Sequence, residues 1–206
     1  MKTTGKFLGI VLLSVLFVVP AIAGNYEIDK KKSTVKWTGK KVTGKHYGTI
    51  DLHSGSIQTE GEKITSGSFK MNMESIVCED LTNESTNKKL VGHLKSDDFF
   101  SVEKFPVSKM ELKEIEHKGG SDYTFTGHLT IKGVTHPVTF DAKTEVEDGQ
   151  LVSKGTIEVD RTRYDIRYGS GKFFDNLGDN MIYDTFTLDF DVVANEVSGT
   201  AMSENN

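Results

Sequence analysis

The chain of 206 residues contains a single cysteine, Cys78. Without a second thiol no disulfide can form within it, so a packed core must hold it together. Cys78 reads as a small apolar residue, because no histidine or acid is placed by the sequence pattern to activate its thiol. Net positive charge is also lacking. The formal charge is −5 at pH 7, which excludes binding of a phosphate backbone as the leading function. Arginine is nearly absent: Arg161, Arg163 and Arg167 are the only three, and every other basic residue is lysine. After residue 23 no apolar run is long enough to cross a membrane. Catalytic signatures are missing as well. There is no Gly-x-Ser-x-Gly elbow. Gly171-Lys172 is no phosphate loop, since Ile166 stands where the first glycine belongs and Phe173 replaces the Ser or Thr. The histidines His46, His53, His93, His117, His128 and His136 form no His-x-His or His-x-x-x-His pair, so no metal is expected. Asp175, Asp179 and Asp184 miss the calcium-loop spacing.

What is present begins with an export signal. Lys2 and Lys6 precede an almost unbroken apolar run, Phe7 to Val19. Pro20 ends it, and Ala21-Ile22-Ala23 supplies the small-x-small pattern of a cleavage site. A run this short followed by polar chain reads as a cleavable signal peptide over residues 1–23, and as an uncleaved anchor only in the alternative. Cleavage after Ala23 leaves 183 residues with a formal charge of −7. The expected compartment is periplasmic or secreted, and the length suits one domain over residues 24–195.

Along that domain the dominant pattern is alternation with a period of two, the mark of half-buried strands. Tyr123, Phe125, Gly127, Leu129 and Ile131 share one face, against Thr124, Thr126, His128 and Thr130. Lys132-Gly133 and Asp148-Gly149 read as tight hairpin turns. Val138, Phe140 and Ala142, then Leu151, Gly155, Ile157 and Val159, continue the apolar face. So do Val35 and Trp37, Ile50 and Leu52, Phe69 and Met71, and Phe186, Leu188, Phe190 and Val192. About eight or nine strands with short turns predict an all-β closed antiparallel barrel or sandwich. One stretch departs from this. Thr82 to Leu94 has no alternation, Asn83 can cap a helix, and lysines gather toward its end, so one short helix is expected there. The chain from residue 196 to 206 is polar and reads as a flexible tail.

Several blocks resemble the YceI-like family of exported bacterial proteins. Tyr26 to Asp29 with Val35 to Lys40 looks like its first hairpin. His93 to Phe100 followed by Phe105-Pro106 is similar to its most distinctive block, and Gly127 to Val138 to its central hairpin. Tyr168 to Gly171 and the closing strand to Val193 also fit. The resemblance implies a lipocalin-like barrel that binds a polyisoprenoid, and it makes a homodimer plausible.

Two candidate sites follow. In a closed barrel, Trp37, Ile50, Leu52, Phe69, Met71, Phe125, Leu129, Phe140, Ile157, Phe186 and Leu188 would line the interior. Alternation alone leaves open whether that interior is filled by side chains or holds a ligand; the resemblance favours the cavity. Burial is worth roughly 0.8 kcal/mol per methylene, so ten to fifteen buried methylenes give about 8–12 kcal/mol before the costs of association. The second candidate is the arginine cluster. Arg161, Arg163 and Arg167 would form a headgroup clamp at a rim, or else a salt-bridge network with Asp160, Asp165, Asp179 or Asp184. They share one side only if the strand before them persists. The expected function is therefore to bind, sequester or carry a long-chain isoprenoid or fatty-acyl lipid, with no cofactor and no catalysis. An enzyme using His46 or His93 with an acid, and a filled structural barrel, are the rivals.

Overall fold

Alternating burial organises the chain into strands, and short left-handed turns fold them back on themselves. The computed structural model describes residues 23–61 and 63–197. The expected leader up to residue 22 and the tail from residue 198 lie outside the described residues. In order come β1 (Ala23–Ile28), β2 (Thr34–Lys41), β3 (Gly44–Glu60), β4 (Lys63–Cys78), α1 (Glu84–Lys95), β5 (Val107–Gly119), β6 (Asp122–Ile131), β7 (Val134–Glu147), β8 (Gln150–Asp160) and β9 (Thr185–Glu196). In β6 all five residues of the apolar face are buried. Lys132 and Gly133 have φ of 50° and 75°, and Asp148 and Gly149 have 51° and 75°. That is the paired positive φ of hairpin turns whose twist matches the flanking strands.

The sheet closes on itself as an antiparallel barrel of eight staves. From β2 the ring runs through β9, β8, β7, β6, β5, β4 and β3 back to β2. β1 and β2 form one stave between them. Both lie antiparallel to β3 and β9, β1 against Ser56–Glu60 and β2 against Gly44–Thr49. Ser33 ties the break between them to β9: its hydroxyl accepts from the Val193 amide at 3.0 Å. β9 ends at Glu196, one residue into the expected tail.

Gly48 shows how closely two staves meet. A Cβ there would lie 1.9 Å from the carbonyl oxygen of Val77, a backbone atom that cannot swing aside. Between the pairs Thr49–Val77 and Asp51–Asn72, β4 carries three more residues than β3. This wide bulge turns both Met73 and Ile76 into the core. The glycine lets the end of β4 return onto β3 after the bulge, and the Trp37 indole then donates to Val77 O at 3.0 Å. Gly48→Ala is expected to destabilise the barrel by about 3 kcal/mol through overpacking. Urea unfolding checks this, and a change below about 0.5 kcal/mol would contradict the close approach.

The barrel has one end formed by the β3–β4, β5–β6 and β7–β8 turns and one end under a cap, where the β2–β3 and β6–β7 turns also lie. α1 starts at Asn83, whose side-chain oxygen accepts from the Thr86 amide at 3.1 Å, as its sequence predicts. Its Leu94 and the following Phe99 and Val102 are buried in the core at the capped end. The long connection from Arg161 to Asp184 covers the rest of that end. One seam of the barrel opens beneath it: β7 pairs with β8 only from Ala142 to Glu147. Pro137 lies in the unpaired half, where its missing N–H costs no ladder bond. Tyr164 packs into this seam, fully buried, with its ring 5.3 Å from that of His136. Among the described residues no helix is long and apolar enough to cross a membrane.

Candidate functional site

The inward faces of the staves do not fill the barrel. They leave two apolar chambers of about 100 and 120 Å³. Each compares with the roughly 150 Å³ apolar cavity that admits one benzene. Leu52, Phe69, Phe125, Phe140 and Ile157 line the chamber toward the uncapped end. Trp37, Ile50 and Phe186 line the one under the cap. Met71, Leu129 and Leu188 border both and form the waist between them. All eleven residues expected to face the interior thus do so. The wall of the capped chamber reaches the surface at the exposed residues Lys40 and Tyr183. Among the described residues, neither chamber has a histidine in its wall.

Inward-register glycines contribute little to this space. At Gly127 a Cβ would meet the Met110 sulfur at 2.4 Å, and at Gly155 the Asp141 carbonyl at 2.6 Å. They let neighbouring groups approach. Gly39, with nothing within 4 Å of that position, is the one that leaves room in a chamber wall.

Alternation did not reveal the lid. Leu94, Phe99 and Phe100 close the capped chamber from α1 and the loop after it. Phe100 meets Phe99 edge-on at 5.2 Å and Phe186 at 6.2 Å. Leu94 lay at the end of the expected helix, and for Phe99 and Phe100 the signal was the His93–Phe100 block, a motif without an assigned role.

The three arginines separate. The strand ends at Asp160, whose carboxylate caps a short 3-10 turn over Arg161–Tyr164 by accepting from the Thr162 amide at 2.9 Å. The condition for a shared side is therefore not met. Arg161 alone borders a chamber, and it is 1% exposed. Its Nε donates to Tyr183 O at 3.1 Å, one terminal nitrogen to Ile166 O at 2.9 Å and the other to Ile182 O at 3.0 Å. Asp184 lies 3.6 Å away, and the Phe99 ring centroid 5.6 Å from the guanidinium carbon. Burial lowers its pKa, opposed by the charges of Asp184 and Asp160. Arg163 is exposed and donates to Pro137 O at 3.3 Å outside the barrel. Arg167 is exposed, pairs with Asp165 at 2.7 Å and stacks over Phe173. Of the expected acid partners, Asp165 and Asp184 take arginines, Asp160 serves as a cap, and Asp179 pairs with none of the three.

Cys78 is buried, as a small apolar residue would be, but it sits in a second polar cluster. Asp80 follows it by two residues, and His46 reaches both from the start of β3. The Cys78 thiol donates to Asp80 Oδ1 at 3.3 Å, and His46 Nδ1 lies 2.8 Å from Asp80 Oδ2. Burial pushes the thiol pKa up. Burial also acts to raise Asp80, but hydrogen bonds from the Tyr47 amide, His46 and Cys78 outweigh it and hold the carboxyl below its ordinary value. The cluster lies outside both chambers. His93 faces neither chamber: its ring packs edge-on against Tyr168 at 4.4 Å and Phe99 at 5.7 Å.

The YceI-like domain family matches residues 26–194. Protein YceI of Salmonella newport is 34% identical over 142 residues, covering 67% of this chain and 71% of that protein. A UPF0312 protein of Shewanella denitrificans is 33% identical over 103 residues, covering 50% of this chain and 51% of its own length. Among solved structures, Burkholderia cenocepacia BcnA superposes with a TM-score of 0.64 at 21% identity, over 81% of this chain and 98% of that one. A Saccharophagus degradans domain described as polyisoprenoid-binding superposes with a TM-score of 0.58 at 17% identity, over 84% and 98%. At these identities the structural likeness is one of fold. The family match runs from β1 into β9 and takes in every stave of the barrel, so this chain belongs to the YceI-like family.

Proposed function

We propose that the protein binds a long-chain apolar lipid, a polyisoprenoid or fatty-acyl chain, along the barrel axis. The observation that carries this reading is the pair of apolar chambers meeting at Met71, Leu129 and Leu188. Neither chamber alone holds a long chain. A lipid reaches both when the waist side chains swing apart, and methionine, unbranched with three rotatable bonds, adapts most readily. The likeness to a domain described as polyisoprenoid-binding supports a lipid partner in general terms. A polar headgroup belongs at the capped end, beside Arg161 and the exposed Lys40 and Tyr183. The protein acts as a carrier, exported to the periplasm or beyond, and exchanges lipid without converting it.

Native mass spectrometry of the mature protein, exported and purified without detergent, tests the reading alongside an organic extract. The expected result is a bound species with a discrete lipid mass, released unchanged by the solvent. Protein that stays apo when offered prenyl and fatty-acyl lipids would overturn it in favour of a structural barrel. Recovery of a modified lipid would favour an enzyme.

A further inference from the structure

The cluster of His46, Cys78 and Asp80 has no part in lipid binding and calls for its own explanation. One imidazole nitrogen, one thiol sulfur and one carboxylate oxygen lie within 4.8 Å of one another. Two chain segments supply them: the start of β3 gives His46, and the end of β4 with the residues just after it gives Cys78 and Asp80. Both segments are tied down. Cys78 pairs with Gly48 across the staves, and its carbonyl accepts from Asn87 Nδ2 of α1 at 2.8 Å. Asp80 Oδ1 accepts from the Tyr47 amide at 2.9 Å. No lysine or arginine among the described residues pairs with Asp80; its partners are the Tyr47 amide, His46 and the thiol.

We propose that His46, Cys78 and Asp80 form a binding site for a borderline divalent metal ion of the zinc class. The donor set has the composition such an ion prefers, with sulfur and nitrogen beside one carboxylate oxygen. Metal–ligand lengths of about 2.0–2.3 Å at tetrahedral angles put ligand atoms about 3.3–3.6 Å apart. The thiol lies 3.3 Å from Asp80 Oδ1 and the imidazole 2.8 Å from the other oxygen, Oδ2. With Oδ1 also held by the Tyr47 amide, Oδ2 is the oxygen that takes the ion, and it parts from the imidazole when the ion enters between them. On binding, the Cys78 thiol releases its proton to solvent and the thiolate takes the metal. Three protein ligands leave a fourth position for water. The thiol is buried, whereas the imidazole and carboxylate are only partly so. A hydrated ion therefore meets Asp80 and His46 first and sheds water onto the sulfur last. The Tyr47 amide supplies the outer hydrogen bond that orients the carboxylate.

Cobalt(II) titration of the mature full chain tests the proposal. Wild-type protein is expected to show a thiolate-to-cobalt charge-transfer band and the visible bands of a tetrahedral site, saturating at one equivalent and lost when zinc is added. Cys78→Ser is expected to lose the charge-transfer band. His46→Gln and Asp80→Asn are each expected to weaken binding tenfold or more. Circular dichroism without metal confirms that each variant is folded. Because the three variants are read separately, failure of one to fold leaves the others decisive. No charge-transfer band at one equivalent in the wild type overturns the proposal, as does cobalt affinity unchanged in folded Cys78→Ser, His46→Gln and Asp80→Asn proteins.

Discussion

Leu129→Glu is expected to abolish lipid loading. Leu129 is 5% exposed and borders both chambers. A carboxylate there stands at the waist between largely apolar walls, whose basic residues are Lys40 and Arg161 in the capped chamber and Lys109 in the other. An ionised carboxylate beside an alkyl chain costs several kcal/mol, and each 1.4 kcal/mol is tenfold in affinity. Bound lipid should therefore fall at least a hundredfold, read as the extracted lipid-to-protein ratio. The same substitution burdens folding, because the leucine is also core. Met71→Trp provides the companion test. It keeps the waist apolar and narrows it, with an overpacking cost of about 1–3 kcal/mol, and Met71 is only partly buried. A folded Met71→Trp protein should reject long chains and retain short ones. Undiminished long-chain content in both variants would mean that the lipid does not pass the waist.

Replacing Arg161 with Met is expected to cost about 3–5 kcal/mol. Its guanidinium donates to the carbonyls of Ile166, Ile182 and Tyr183, which lie on the two arms of the loop that covers the capped end. Removing it strands three acceptors and removes the neighbour of Asp184. A buried group left without its partner costs the full desolvation penalty, well above the net worth of the bond when made. In a chain of this size, 1 kcal/mol moves Tm by about 2–4 °C, so a fall of roughly 6–20 °C is expected by calorimetry. Arg161→Lys should recover little, because one ammonium cannot span three carbonyls set around a planar fork. Hydrogen exchange should speed up at the amides of Ile182 and Tyr183, which bond to Gly169 O and Lys40 O. A Tm within about 1 °C of wild type would show that the arginine does not hold the cap.

The hydrogen bonds of Arg161 are already directed to backbone, so on the proposed reading a lipid headgroup would meet a fixed guanidinium with few free donors, adding to orientation more than to affinity. That agrees with the energetics of a long chain, where methylenes outweigh any single polar contact.

Much of the barrel was legible in the sequence. Side chains on a strand alternate with period two whatever the strand pairs with, so Tyr123 to Ile131 declared their inner face without a partner. The Lys132-Gly133 and Asp148-Gly149 turns were equally local, because positive φ is a property of two residues and the strands beside them. Asn83 declared the start of α1 through a bond to an amide three residues on.

Other features existed only once distant segments met. That β1 and β2 share one stave depends on β3 and β9 being long enough to pair with both. The wide bulge of β4 needs Gly48 on another strand to admit Val77 O. Arg161, Arg163 and Arg167 crowd together in sequence, yet a capped 3-10 turn sends one inside and leaves two outside. His46 and Asp80 stand 34 residues apart and meet at Cys78. Alternation assigns each residue to a face. Whether facing residues leave a chamber depends on volumes contributed by eight staves and a lid at once, and so the two chambers, their waist and the His46–Cys78–Asp80 cluster were decided by tertiary structure alone.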